Sequence, residues 1–200
     1  MDRLTSIAMR IAGASGAASE DGVRYEDFTG EIRYGGTSAN VKVATFMLKD
    51  GKVIWDDGIW ISGTWNGGVW TSGTWTSGVW NRGVWKYGIW KGEGGKKDVW
   101  KKGTWKNGNW MDGTWEDGVW EYGFWKNGTW NNGEWELGAW NGGTWNGGIH
   151  DDGQWYGGKF DGGAWKSGVW MGQNDKWLKG EWKTGKDKEG KSHSDPPSKW

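Results

Sequence analysis

From Trp55 to Trp170 the apolar positions recur every five residues, in a phrase that reads Gly-x-Trp-x-x with small or polar residues between the rings. Slots at 55, 60, 65 and onward to 170 number 24; 21 hold Trp, and the others hold Gly95, His150 and Phe160. Gly stands two residues before the slots, as at Gly58, Gly63, Gly68 and Gly168, except before slots 55, 95 and 100, where Val53, Glu93 and Asp98 stand. A fixed period of this kind denotes a repeat architecture. In an extended segment residues i and i+2 share a face, so Gly63 and Trp65 point one way and Thr64 the other. The Trp side is predicted to be the inside. An exposed column of indoles would far exceed the few hundred Å² of apolar patch that soluble monomers show, and each buried indole removes on the order of 200 Å² from water.

The pairs after each Trp are turn-like: Asp56-Asp57, Asn66-Gly67, Thr71-Ser72, Asn81-Arg82, Lys106-Asn107, Asn131-Asn132. Trp-x-x-Gly then reads as a four-residue turn with Gly last. A meander of hairpins would need primed turns with Asn-Gly or Gly at their centres, whereas pairs such as Thr76-Ser77, Lys86-Tyr87 and Glu121-Tyr122 accept ordinary turns. A solenoid that turns a corner every five residues is therefore expected, and the class is all-β. Coil size is read from the outward residue before each Trp. Ile59, Val69, Val79, Ile89 and Val99 alternate along the chain with Thr64, Thr74, Val84, Gly94 and Thr104, and a step of 20 leaves the uniform column Ile59, Val79, Val99, Val119. That pattern predicts four sides, 20 residues per coil and about six coils, a rod of roughly 29 Å at about 4.8 Å per coil.

The spacing resembles that of pentapeptide-repeat proteins, with Gly in the small place two residues before the large central one and Trp in the large place, over residues 53 to 172. The resemblance implies a right-handed quadrilateral β-helix. The family's usual Ala-Asp/Asn-Leu lettering is absent. Runs such as Gly-Thr-Trp-Asn-Gly-Gly-Val-Trp are also similar to repeats in predicted structural proteins of large tailed phages, which implies a virion component.

Outside the array the chain divides into flanks. In residues 1 to 22, Leu4, Ile7, Ala8 and Ile11 lie at helical spacing between Arg3 and Arg10, predicting a short amphipathic helix from Met1 to Ala18 followed by a small-residue linker. Arg10 breaks the apolar part and no cleavage pattern follows, so no secretory signal is expected. Residues 23 to 54 are aromatic and β-branched with a turn at Lys49-Asp50-Gly51-Lys52; they read as a β cap that covers the first coil edge. The first 54 residues together would make a small α/β cap. Register is lost after Trp170, and Trp177 and Trp182 are expected to fold over the last coil as a C-terminal cap of residues 173 to 185. Residues 186 to 200 read as a disordered, solvated tail.

Two hundred residues with 40 Gly, 24 Trp and two Pro suit one small domain. No Cys is present, so disulfides and thiolate metal sites are excluded. A formal net charge of zero gives no global pull toward nucleic acid or an anionic membrane, and no apolar run approaches a membrane span. Neither specific nucleic acid nor membrane is expected as a partner. Lys91 to Asp98 is Gly-rich and basic but lacks the G-x-x-x-x-G-K-[ST] order of a phosphate loop, and reads as a bulge on one coil. His150, followed by Asp151 and Asp152, occupies an inward slot and reads as a packed core residue. Acids such as Asp112, Glu116, Asp117 and Glu121 lie at successive corners of a solvated surface. No catalytic constellation, metal site or cofactor is expected.

Two functional classes remain. One is a non-enzymatic structural or assembly protein, in a virion or the cytoplasm, that self-associates or joins a larger virion assembly through the column Ile59, Val79, Val99, Val119. The other is a module binding a glycan or an acidic partner. For a polyanion the expected residues are Lys86, Lys106, Lys126 and Lys166, one corner of a 20-residue coil. For a glycan the outer Tyr87, Tyr122 and Tyr156 are candidates, but along the chain they are too scattered to form one platform.

Overall fold

The computed structural model describes residues 10–12, 15–92, 98–171 and 175–199. Through most of the array a slot residue and its predecessor form a two-residue strand, while slots 55, 60 and 65 share the strand Lys52–Trp65 and slots 160 and 165 the strand Gly158–Trp165. Val119–Trp120 pairs in parallel with Thr104–Trp105 on one side and Glu134–Trp135 on the other. The hydrogen bonds follow that register: the Val119 N–H donates to the Gly103 carbonyl at 2.9 Å and the Glu121 N–H to the Trp105 carbonyl at 2.8 Å. The result is a β-solenoid of stacked parallel strands.

The coil is three-sided with 15 residues, which corrects the four-sided expectation. The rings explain it. Around one turn Trp105, Trp110, Trp115 and Trp120 meet edge to face at 6.0, 6.1 and 6.0 Å and 73°, 75° and 73°, and Trp120 then lies flat on Trp105 at 4.8 Å and 5°. Three indoles close around the axis in the edge-to-face geometry that aromatic quadrupoles favour. A fourth side would move them outward and open a channel that no side chain fills, against the close packing of protein interiors. All the ring positions from Trp55 to Trp165 described here are fully buried.

The corners explain the polar pairs. Gly118 has φ of 130°, a region open to glycine and strained for other residues. Asp117 Oδ1 accepts the Gly118 N–H at 2.9 Å, and Asn107, Asp112 and Asp152 do the same for Gly108, Gly113 and Gly153 at 2.7 Å. Short Asx side chains thus satisfy backbone amides that the turn leaves open. Most indole N–H groups in the core lack a partner, while Trp55, Trp65 and Trp125 reach the corner carbonyls of Ser72, Arg82 and Gly142 at 3.0, 3.1 and 3.2 Å. An unpaired buried donor costs about 1 to 3 kcal/mol, which ring burial must exceed.

A 20-residue step does occur, at one place. Trp100 stacks on Trp80 at 4.7 Å, and Val99 pairs with Val79, because the chain between Trp90 and Trp100 carries one additional pentad. Trp90 and Trp100 are still edge-to-face neighbours at 6.2 Å, like any successive pair. Asp98 takes the place of the glycine and is buried, its Oδ1 accepting the Gly78 N–H at 2.9 Å.

At the N-terminal end β3 (Arg24–Tyr34) and β4 (Thr37–Lys49) are antiparallel to each other, and β4 is antiparallel to β5 (Lys52–Trp65), the first coil. They extend the core, with Phe46 stacked on Trp55 at 5.9 Å and Tyr25 on Phe46 at 5.0 Å. The amphipathic helix expected over Met1 to Ala18 is corrected where it is described. Residues 1–9 and 13–14 lie outside the described residues, and β1 (Arg10–Ala12) and β2 (Ser15–Ala18) are strands parallel to β3. Backbone contact outweighs helical spacing here: a Cβ on Gly30 would stand 2.3 Å from the Gly16 carbonyl oxygen, so at this glycine pair β2 and β3 approach more closely than side chains would permit.

At the other end the strand Asp175–Trp182 pairs in parallel with Gly158–Trp165, which places Trp177 on Phe160 at 4.3 Å and Trp182 on Trp165 at 5.3 Å. These two rings continue the columns after a shift in spacing. Residues 186–199 are not a disordered tail. Lys186 pairs with Val169, Gly185–Lys186 is antiparallel to Ser192–His193, and the His193 carbonyl accepts the Trp182 indole N–H at 3.3 Å. The ladder edge of the last coil offers hydrogen-bonding groups that this return strand takes up.

Candidate functional site on the faces and corners

With 15 residues per coil, every outward residue is assigned to one of three faces. The first carries Ile54, Val69, Val84, Thr104, Val119, Glu134 and Ile149. The second carries Ile59, Thr74, Ile89, Asn109, Phe124, Ala139 and Gln154. The third carries Thr64, Val79, Val99, Thr114, Thr129, Thr144 and Lys159. The column expected from Ile59, Val79, Val99 and Val119 is therefore split. Val79 and Val99 are neighbours on the third face, Ile59 lies on the second and Val119 on the first, because the 20-residue step holds only across the additional pentad.

The lysine ladder is split in the same way. Lys86 and Lys106 follow the stacked rings Trp85 and Trp105 and share a corner. Glu121 comes next on that corner and takes Lys106 Nζ at 3.3 Å, while Lys166 lies farther along it, paired with Asp151 at 2.6 Å. Lys126 follows Trp125, in the column of Trp110 and Trp140, at a different corner. Three acids, Glu121, Glu136 and Asp151, stand between Lys106 and Lys166 on a corner where a uniform cationic edge was expected. Glu136, on the acidic part of this corner, is pushed above the usual carboxylate range by burial and then by Glu121, Glu134 and Asp151.

His150 takes a ring position. It lies flat on Trp165 at 3.8 Å and more loosely under Trp135 at 6.1 Å, fully buried, with neither nitrogen in a hydrogen bond of ordinary geometry. Burial lowers its pKa to about 3, so the ring is neutral at pH 7. The Gly-rich stretch Lys91 to Asp98 is described only at its ends, since residues 93–97 lie outside the described residues. Among the described residues no three His, Asp or Glu side chains converge as metal ligands would.

The tyrosines are where the structure departs furthest from the chain order. Tyr87 and Tyr122 both stand two residues after a ring of one column, Trp85 and Trp120, with Trp105 between them. They share one corner two layers apart, with Asn107 in the intervening layer and Leu137 in the next. Tyr156 stands at the opposite edge of the same second face, its hydroxyl bonded to Gln154. Chain order hid this grouping, since it becomes visible only when the correct coil length is applied. The signal was present in the uninterrupted half, where Thr114, Thr129 and Thr144 recur at a step of 15.

Fold and surface together define a repeat β-solenoid with Trp at five-residue spacing. Comparison with known proteins gives no match: no family profile, no curated protein and no solved structure matches this chain.

Proposed function

We propose that the protein is a non-enzymatic structural or assembly element, a stiff spacer that offers flat faces to neighbouring subunits. The observation that carries this reading is the unbroken aromatic core from Tyr25 through the indole columns to Trp182, because bending such a stack requires separating rings at many layers at once. Its place in a larger assembly is proposed from the resemblance of its Gly-x-Trp pentads to pentapeptide repeats and to repeats in tailed-phage structural proteins, which favours a virion.

The third face supports association through the neighbours Val79 and Val99, half-buried, uncharged and β-branched. The partner is a second copy or a larger virion component. In sedimentation velocity the protein is expected to run above its 22.4 kDa chain mass, and the variant Val79→Lys/Val99→Lys to run as a monomer with unchanged far-UV circular dichroism. A double variant that associates as the parent does overturns the assignment of this face. A parent that is monomeric at all concentrations, and is missing from purified particles of a phage encoding it, overturns the assembly role.

A further inference from the structure

The second face carries a pattern that a spacer does not require. Its leading corner presents Tyr87, Asn107, Tyr122 and Leu137 in four successive layers. Asn109, Phe124, Ala139 and Gln154 run beside them, and a floor of glycines lies between. The two rows enclose an open trough of about 470 Å³ with no charged residue in its lining, in a chain of which 25% is charged. Tyr87 and Tyr122 are 57% and 52% exposed, so their rings are presented to solvent. The glycine floor is fixed by the fold itself: a Cβ on Gly123 would stand 2.4 Å from the Gly108 carbonyl oxygen of the neighbouring layer, so the position is kept for glycine.

We infer that this trough binds a neutral polysaccharide lying along the solenoid axis. Tyrosine offers a flat apolar ring with a polar tip, suited to the C–H face of a pyranose and its rim of hydroxyls. Asn109 can both donate and accept, as a sugar hydroxyl does, and the amide nitrogens of Asn107 and Gln154 can donate, their oxygens already accepting the Gly108 N–H and the Tyr156 O–H. A wall of aromatic rings with a few amides is the composition of a ligand groove, and 470 Å³ lies within the usual size range of such grooves. The uncharged lining gives a sulfate or carboxylate no counter-charge, which selects a neutral polymer. Tyr87 and Tyr122 lie two layers apart, about 10 Å at about 4.8 Å per layer, close to the length of a disaccharide. The two rings thus address alternate sugars of one chain, and Asn107 faces the sugar between them. A second copy is a poorer fit, because a stable interface needs about 800 Å² per partner and this strip is one ridge wide. The inference stands independently of the structural role, which uses a different face.

Native affinity electrophoresis tests it, with gels containing dextran, galactomannan, mixed-linkage β-glucan or xylan, and alginate as the anionic comparison. The parent is expected to be retarded by at least one neutral polymer and not by alginate. Tyr87→Ala/Tyr122→Ala should weaken that binding at least tenfold, with unchanged circular dichroism because both rings point outward. Asn131→Ala, on another corner, should bind as the parent does. Absence of retardation by every neutral polymer overturns the inference, as does retardation that survives the double substitution. A double variant that converts a self-associated parent to monomer would assign the strip to a second copy instead.

Discussion

Gly118 lies so closely over Gly103 that a Cβ built on it would stand 2.4 Å from the Gly103 carbonyl oxygen and 3.0 Å from its nitrogen. The glycine of each pentad is therefore more than a small neighbour for a large ring. It lets successive coils approach to strand distance at a corner whose φ of 130° other residues resist. Gly118→Ala is expected to destabilise the fold by more than the roughly 1 to 3 kcal/mol of backbone strain alone, since the layer below must also move. Urea unfolding followed by Trp emission measures it. Asp117→Ala, which removes the hydrogen bond to the Gly118 N–H together with the exposed contacts to Asn132 and Lys102, should cost about 1 kcal/mol. Equal effects of the two substitutions would contradict this account of the corner.

Trp120 is sandwiched between Trp105 and Trp135, both at 4.8 Å. Trp120→Ala is expected to cost about 3 to 5 kcal/mol, because neighbours held by the ladder cannot collapse into the space. Trp120→Phe should cost less. The ordered stacks should also give the parent a strong exciton couplet in circular dichroism that weakens in the alanine variant, and an emission spectrum unlike that of free tryptophan in water. A water-like emission spectrum in native buffer would refute the buried core.

His150 makes stability depend on pH. Its folded pKa of about 3 lies below the ordinary imidazole value of 6.5, so the unfolded chain binds the extra proton between those limits. The neutral ring's contribution is fully present above pH 6.5 and is lost as pH falls toward 3, with a slope of roughly 1.4 kcal/mol per pH unit inside that window. His150→Trp restores the column residue and should remove this part of the slope. The difference between parent and variant in chemical unfolding at pH 4 and pH 7 reads it directly. Identical differences at the two pH values would show that His150 does not titrate on unfolding.

Trp90 and Trp100 are ordinary neighbours at 6.2 Å although ten positions separate them. Deletion of residues 93–97 together with Asp98→Gly leaves a single regular pentad between the two rings. The melting temperature of this variant should lie within a few degrees of the parent's, with an unchanged exciton couplet. Loss of the folded state would mean that these five residues support the coil.

Much of the fold was legible in the chain. The Gly-x-Trp period identifies an all-β solenoid with its indoles inside, because twenty-one large rings at one spacing have no other place to go. The sequence also marks the corners, through Asx residues beside glycine. What it leaves open is how many corners close a coil. Thr, Val and Ile all suit a strand, so outward residues such as Ile59 and Val119 carry little memory of the layer above them. Across Val79 and Val99 the additional pentad imitates a 20-residue step. Only the packing of rings decided for three sides, since three indoles meeting edge to face fill the axis. That choice assigns each surface residue to its face: it separates Lys126 from Lys86, distributes Ile59, Val79 and Val119 over three faces, and brings Tyr87 and Tyr122 to one corner. Residue identity sets what the core is made of, while the closure of the core sets which surface residues meet.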